Sequence, residues 1–208
     1  MKLLLIRHGQ SEANAEGRLQ GHLDSPLSER GRAQAQALAR RLQGEGWQIA
    51  ALYASDLRRA AETADILAAH LNRPVVHDAR LREYDYGLLN GLTWPEIEAL
   101  GDQIGLNLRL DAEWPDIPGA EGLEAFRARV AAALEDIRAR HQDGDIAAIV
   151  AHGGSLSVLL SHLLGLPPRR LFPFRLSNAS LSIVEFYARG PRLALLNDTC
   201  HLPSQLRE

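Results

Sequence analysis

One cysteine, Cys200, stands in 208 residues, so no intrachain disulfide framework exists and a reducing compartment is implied. Long apolar runs are missing as well. The N-terminal run Leu3-Leu4-Leu5-Ile6 is too short for a signal-peptide core, which needs roughly 7–15 residues, and nothing approaches the roughly 18 needed to span a bilayer. There is no basic excess: 23 Lys and Arg stand against 26 Asp and Glu, a net charge of −3. That balance argues against nucleic acid or an anionic membrane as partner. Gly-rich nucleotide fingerprints, zinc-ligand spacings and nucleic-acid motifs are absent. Asp143-Gly144-Asp145 is too short for a calcium loop and reads as the turn before a strand. No repeat or low-complexity tract appears. These absences leave a cytoplasmic, soluble chain with no predicted cofactor, long enough for one well-cored domain over 1–208.

Strands and helices alternate in what is present. Leu3 to Ile6 is a continuous apolar run framed by polar residues, the pattern of a buried parallel strand. Ser28 reads as the N-cap of a helix to Leu42, with Ala35, Leu38, Ala39 and Leu42 on one face. A strand over 49–53, a helix over 57–71 and a short strand over 75–77 follow. Residues 84–120 are rich in Gly and Pro and carry Trp94 and Trp114, predicting an inserted lid of short helices and loops with anchoring aromatics. A helix over 122–141, a strand over 145–151 and a helix over 155–164 ending at Pro167-Pro168 come next. Runs over 181–186 and 193–196 around Gly190-Pro191 predict an antiparallel hairpin at a sheet edge. The expected fold is α/β: a three-layer, doubly wound, mostly parallel sheet with an antiparallel edge and a helical and loop insert over the active site.

Two strands end alike. The first delivers Arg7-His8-Gly9 and the strand over 145–151 delivers His152-Gly153-Gly154. In open α/β sheets ligands bind outside the carboxyl ends of the strands, so two imidazoles can face each other across one crevice there. A lone histidine is more often a satisfied core or surface residue; matched placement on two strand ends, each followed by glycine, weakens that reading. Arg58 and Arg59 open the helix after the second strand. A guanidinium there can point back over the crevice and grip a tetrahedral dianion beside the positive helix end. The bland alternative is a pair of solvated helix residues. Glu83, in Leu-Arg-Glu-Tyr-Asp-Tyr-Gly, is a candidate general acid, because a neighbouring anion disfavours the ionised form of a carboxyl.

Arg7-His8-Gly9 with Asn14, Gln20-Gly21 leading to Pro26-Leu27, Arg59 in Ser-x-Leu-x-Arg-Ala, Glu83 in Leu-Arg-Glu-x-x-x-Gly, and Ala-His152-Gly occur in this order. In this the chain resembles the histidine phosphatase superfamily, in the branch that holds the phosphoglycerate mutases, from Leu3 to about Leu202. The resemblance implies a nucleophilic His8 that takes the phosphoryl group on nitrogen, and Arg7, Arg59 and His152 around the phosphate. It further implies donors from Asn14, Gln20, Gly21 and the Gly153 backbone, Glu83 as acid then base, and no metal. His22, Tyr86 and His201 are candidates for lining the substrate side, each against the alternative of mere packing. The short chain is closer to the family's small phosphatases than to its mutases, implying a small phosphorylated metabolite as partner and a monomer or homodimer. Leu89-Asn90-Gly91, the uncapped Pro118-Gly119-Ala120-Glu121-Gly122 and Ser157 depart from the family's usual pattern and leave pocket shape open. Outside the family, Gly9-Gln10-Ser11-Glu12-Ala13 suggests a serine-esterase elbow. Ala13 breaks that motif, and Arg7 and Arg59 would have no task in it. A silent phospho-ligand binder is the other rival.

Overall fold

Alternation along the first strand decides the layering. Leu3 and Leu5 point into one apolar core with Phe126, Leu134 and Leu159, while Leu4 and Ile6 point into another with Leu38, Leu42, Leu52 and Leu67. A strand buried on both faces must lie inside a sheet sandwiched by helices. In the computed structural model, which describes residues 1–104, 116–167 and 173–207, this strand, β1 (Lys2–Arg7), occupies that place. It is followed by α1 (Glu12–Ala15), α2 (Glu29–Gly44), β2 (Ala51–Ala54), α3 (Arg58–Leu71) and β3 (Val75–His77). Then come α4 (Trp94–Ile104), α5 (Leu123–Ala139), β4 (Ile146–Ala151), α6 (Gly153–Leu163), β5 (Leu181–Tyr187) and β6 (Gly190–Asp198).

The six strands are ordered β3-β2-β4-β1-β5-β6. β3, β2, β4 and β1 are parallel, and β5 and β6 run antiparallel as the predicted edge hairpin. Helices α2 and α3 cover one face, α5 and α6 the other. The expected three-layer α/β fold is the observed one. Among the described residues no helix is long and apolar enough to cross a membrane.

Two local expectations change. The helix after β4 begins at Gly153 rather than Ser155, because its first turn is held by contacts described below that offset the poor helix propensity of two glycines. The described parts of the 84–120 segment are anchored by other residues than Trp94, which is 47% exposed; Tyr84, Tyr86, Leu89, Ile97 and Ile117 pack into the core beside α5 instead. Gly105, Trp114, Pro115 and Pro168 lie outside the described residues. The uncapped start of α5 is as the sequence implies: Gly122, at φ +80°, offers no side-chain cap.

Ser28 caps α2, accepting from Gly31 N at 3.0 Å. This places the helix start directly against the loop after β1. A Cβ on Gly31 would fall 1.9 Å from the Gln10 carbonyl oxygen, and one on Gly9 2.4 Å from the Gly31 carbonyl oxygen. Two backbones cross with no room for a methyl group. Gly31→Ala is therefore expected to destabilise the protein by about 1–3 kcal/mol, the usual range for overpacking, and to lower turnover because the displaced loop carries His8. Urea unfolding beside a steady-state assay reads both effects.

Candidate active site

Register brings the strand ends together. β1 pairs with β4 so that Arg7 lies opposite Ala151, and the next residues, His8 and His152, emerge at one level. His8 N donates to Ala151 O at 3.0 Å, and the two imidazole centroids are 5.1 Å apart. β2 ends alongside, where Ser55 N donates to Val150 O and Ser55 Oγ holds His152 Nε2 at 2.8 Å. Both histidines are buried.

His8 Nδ1 lies 2.7 Å from the Gly9 carbonyl oxygen. A carbonyl can only accept, so Nδ1 carries the proton and the neutral ring presents the Nε2 lone pair. Burial, then the Arg59 and Arg7 charges, push the His8 pKa well below its usual value. His152 is held neutral by burial and by Arg59, His8 and Arg7. The His8 backbone is fixed in turn: its carbonyl accepts from Ala179 N at 3.0 Å and Asn178 Nδ2 at 3.1 Å. Gly9 N donates to Thr63 Oγ1 at 3.1 Å.

Arg59 is fully buried and forms no ion pair within 4 Å among the described residues. Its Nη2 and Nη1 donate to the Gly21 and Leu23 carbonyls at 2.8 Å each, while the buried Nε has no partner. Burial lowers its pKa to about 10 despite Glu83 and Asp24 nearby. A buried cation with an unsatisfied donor is a strong claim on an anion. Its neighbour Arg58 fits the bland reading, exposed and paired with Glu62. Arg7 Nη1 donates to the Leu176 carbonyl.

Glu83 is pinned at both oxygens. Oε1 accepts from Tyr84 N at 2.9 Å and Oε2 from Gly154 N at 2.8 Å, so the carboxylate sits on the positive end of α6. A methyl on Gly153 would lie 3.9 Å from Arg7 Nε and 4.0 Å from Glu83 Oε2, which sets the acid and a guanidinium over the same helix turn. Together Arg7, His8, Asn14, Gln20, Gly21, Arg59, Glu83, Tyr86 and Gly153 surround a cavity of ≈ 330 Å³. Asn14 Oδ1 accepts from Ser11 N and Gln20 Oε1 from Ser11 Oγ, and among the described residues their amide nitrogens are uncommitted at the cavity. Gly21, at φ +49°, is packed against Asn90 Oδ1, where a Cβ would approach to 2.0 Å.

Three candidates lie apart from the cavity lining: His152, whose ring meets Ser55 Oγ and the His8 ring behind it, and the pair His22 and His201. His22 Nε2 bonds the Glu83 carbonyl at 2.9 Å, and its Nδ1 faces Asp85 at 3.4 Å. His201 Nε2 bonds the Ala179 carbonyl at 3.1 Å, with burial and Arg41 lowering its pKa to about 4. Both support backbone behind the site, because a ring nitrogen within reach of a buried carbonyl satisfies it in preference to facing water. Sequence reasoning missed the outer wall: Arg18, Leu19, Phe174, Arg175 and Leu176. Arg18 is tied to Glu16 and the Gly91 carbonyl, whereas no contact holds the exposed guanidinium of Arg175 among the described residues. The serine-rich stretch 177–180 before β5 was the available signal, since short polar side chains there bond backbone.

The histidine phosphatase superfamily (branch 1) model matches residues 3–199. The chain belongs to this family. As a histidine phosphatase it is a phosphoric monoester hydrolase. It is 34% identical over 205 residues to phosphoserine phosphatase 1 of Hydrogenobacter thermophilus, covering 97% of this chain and 94% of that protein. It is 36% identical over 208 residues to "Probable phosphoglycerate mutase GpmB" of Yersinia enterocolitica, covering 97% and 95%. Among solved structures, Bacillus stearothermophilus YhfR superposes with a TM-score of 0.85 at 33% identity, over 96% of this chain and 98% of that one.

The two buried neutral histidines set a pH dependence. Unfolded, each takes up a proton near pH 6.5; folded, each resists it. Stability therefore falls as the pH drops through the unfolded value, by about 1.4 kcal/mol per group per pH unit once well below it. Urea unfolding at pH 7.5 and 5.5 is expected to differ by roughly 2–3 kcal/mol from this pair, and His8→Gln should remove about half of that difference.

Proposed function

We propose that the protein hydrolyses a small organic phosphomonoester through a phosphohistidine on His8, with Glu83 as acid and then base. The observation that carries this is the bond from His8 Nδ1–H to the Gly9 carbonyl, which aims an unprotonated Nε2 into the cavity. Nε2 attacks phosphorus as the ester P–O bond breaks, and Glu83 gives its proton to the departing oxygen. Glu83, now a carboxylate, takes a proton from the water that attacks the phosphohistidine, returning free His8 and inorganic phosphate. Arg7, Arg59, His152, Asn14 and the Gly153 N–H would receive the phosphoryl oxygens, so rate comes mainly from positioning and charge stabilisation. In this reading the guanidinium groups supply the positive charge, and no metal is required.

The cavity supports an organic ester: Leu19, Tyr86, Phe174 and Leu176 give its wall apolar surface and Arg175 adds an outer cation. The relative named for phosphoserine supports a small phosphorylated metabolite. The near-neutral charge balance supports a cytoplasmic enzyme with no nucleic-acid or membrane partner; we expect a monomer or homodimer. The relative named for phosphoglycerate mutase favours a second reading, in which the phosphoryl group is returned to a glycerate rather than to water.

Phosphate release from 4-nitrophenyl phosphate in excess EDTA decides the class. Turnover that survives chelation and is abolished in His8→Ala, with an acid-labile, alkali-stable phosphoryl label trapped on the wild type, is the expected result. Label without release, together with isomerisation of a phosphoglycerate, would establish the mutase instead. No label at all would overturn both.

A further inference from the structure

The buried stripe of α5 is Phe126, Val130, Ala133, Leu134 and Ile137. A cation, Arg129, lies along the same stripe, three residues after Phe126 and stacked on its ring at 4.8 Å. All five N–H groups of its guanidinium are engaged. Nη1 donates to the Arg80 and Arg82 carbonyls at 2.8 Å each, and Nη2 to the Glu83 carbonyl at 2.7 Å and Glu121 Oε1 at 2.6 Å. Nε donates to Glu121 Oε2 at 2.8 Å.

Three of these bonds hold the backbone that leads into and includes Glu83. The Glu121 carboxylate, oriented by the bidentate pair, holds the other side by accepting from Asp85 N at 2.9 Å. The acid is therefore bracketed by one ion pair while its own carboxylate rests on Tyr84 N and Gly154 N. Arg129 does not line the cavity. The segment 80–83 has little regular structure of its own beyond a single 3₁₀ turn at Ala79–Leu81. Without the fork, the Arg80 and Arg82 carbonyls would lose the Arg129 donor and the Glu83 carbonyl would keep only His22 Nε2, so the carboxylate's placement would rest on its own bonds to Tyr84 N and Gly154 N.

We infer that Arg129, held by Glu121, is a positioning residue for the general acid, setting Glu83 at the leaving-group oxygen. This rests on the reading of Glu83 given under the proposed function. Its signature is dependence on the leaving group. An alkyl phosphate expels a poor leaving group that needs a proton, whereas a nitrophenolate departs without one.

The test compares kcat/KM on 2-aminoethyl phosphate and on 2,4-dinitrophenyl phosphate for the wild type, Glu83→Gln, Arg129→Met, Arg129→Lys and Glu121→Gln. This ratio reads the steps up to leaving-group departure, so later hydrolysis of the phosphoenzyme does not enter. Arg129→Met is expected to lose about 10²-fold on the alkyl ester and less than about 3-fold on the dinitrophenyl ester, within the range of a misplaced acid. Arg129→Lys should not restore the alkyl rate, since an ammonium cannot serve three carbonyls and a carboxylate as a planar fork does. Glu121→Gln, a milder change that keeps the side chain's shape, should show the same selectivity and guards against a folding failure of Arg129→Met. Equal losses on both esters in a folded variant, or no loss on either, would overturn the inference. An alkyl-ester rate unchanged in Glu83→Gln would remove the acid assignment itself, and with it this role for Arg129.

Discussion

Everything at the site depends on the parallel pairing of β1 with β4. Parallel ladders fix the relative height of two strands along their whole length, so a pairing of Lys2 with Ile146 at one end dictates Arg7 with Ala151 at the other. The histidines that follow are then neighbours by construction, and no loop has to find its partner. A slip of one residue would turn every side chain of β1 to the opposite face, exchanging Leu3 and Leu5 with Leu4 and Ile6 between two cores that differ in shape. The apolar layers that stabilise the fold are thereby the same constraint that brings the two histidines together.

Around that frame the protein concentrates charge it does not neutralise internally. Arg59 is buried with an idle donor, and the histidines beside it are kept uncharged by the same burial and the same guanidinium groups. The arrangement is unfavourable on its own and becomes favourable when an anion enters, because the field is already in place and little has to reorganise. The neutral state of His8 and the site's readiness for an anion thus have one physical origin. A water-filled site would weaken both, by screening the cations and by letting His8 protonate.

Much of this was legible in the chain. Buried strands announce themselves by uninterrupted apolar runs, and residues after such strands fall at the ligand-binding edge of any open sheet; Arg7, His8, His152 and Arg59 were found that way. What escaped was whatever acts through the backbone. Asn178 and Ala179 hold the His8 carbonyl, and neither carries a motif. His22 and His201 were read as pocket residues because they flank matched segments, but spacing sets where a side chain starts and not where its ring turns. Arg129 left a trace, a charge on the apolar stripe of a helix, whose meaning is visible only with the partner carbonyls in view. Trp94 misled for the opposite reason: the smaller and less conspicuous Ile97 and Ile117 do the anchoring.

The central strand also fixes how much of the fold the site requires. β1 lies between β4 and β5, whose partners for it are residues 146–151 and 181–185. The chain must be present through residue 185 before that strand is paired on both edges. Until then its apolar run waits as an open template, the situation in which nascent chains attract chaperones or aggregate. Short of that, His8 is present without the residues gathered around it. A truncation ahead of residue 146 would leave His8 without the strand that brings His152 beside it, whatever else of the fold remained.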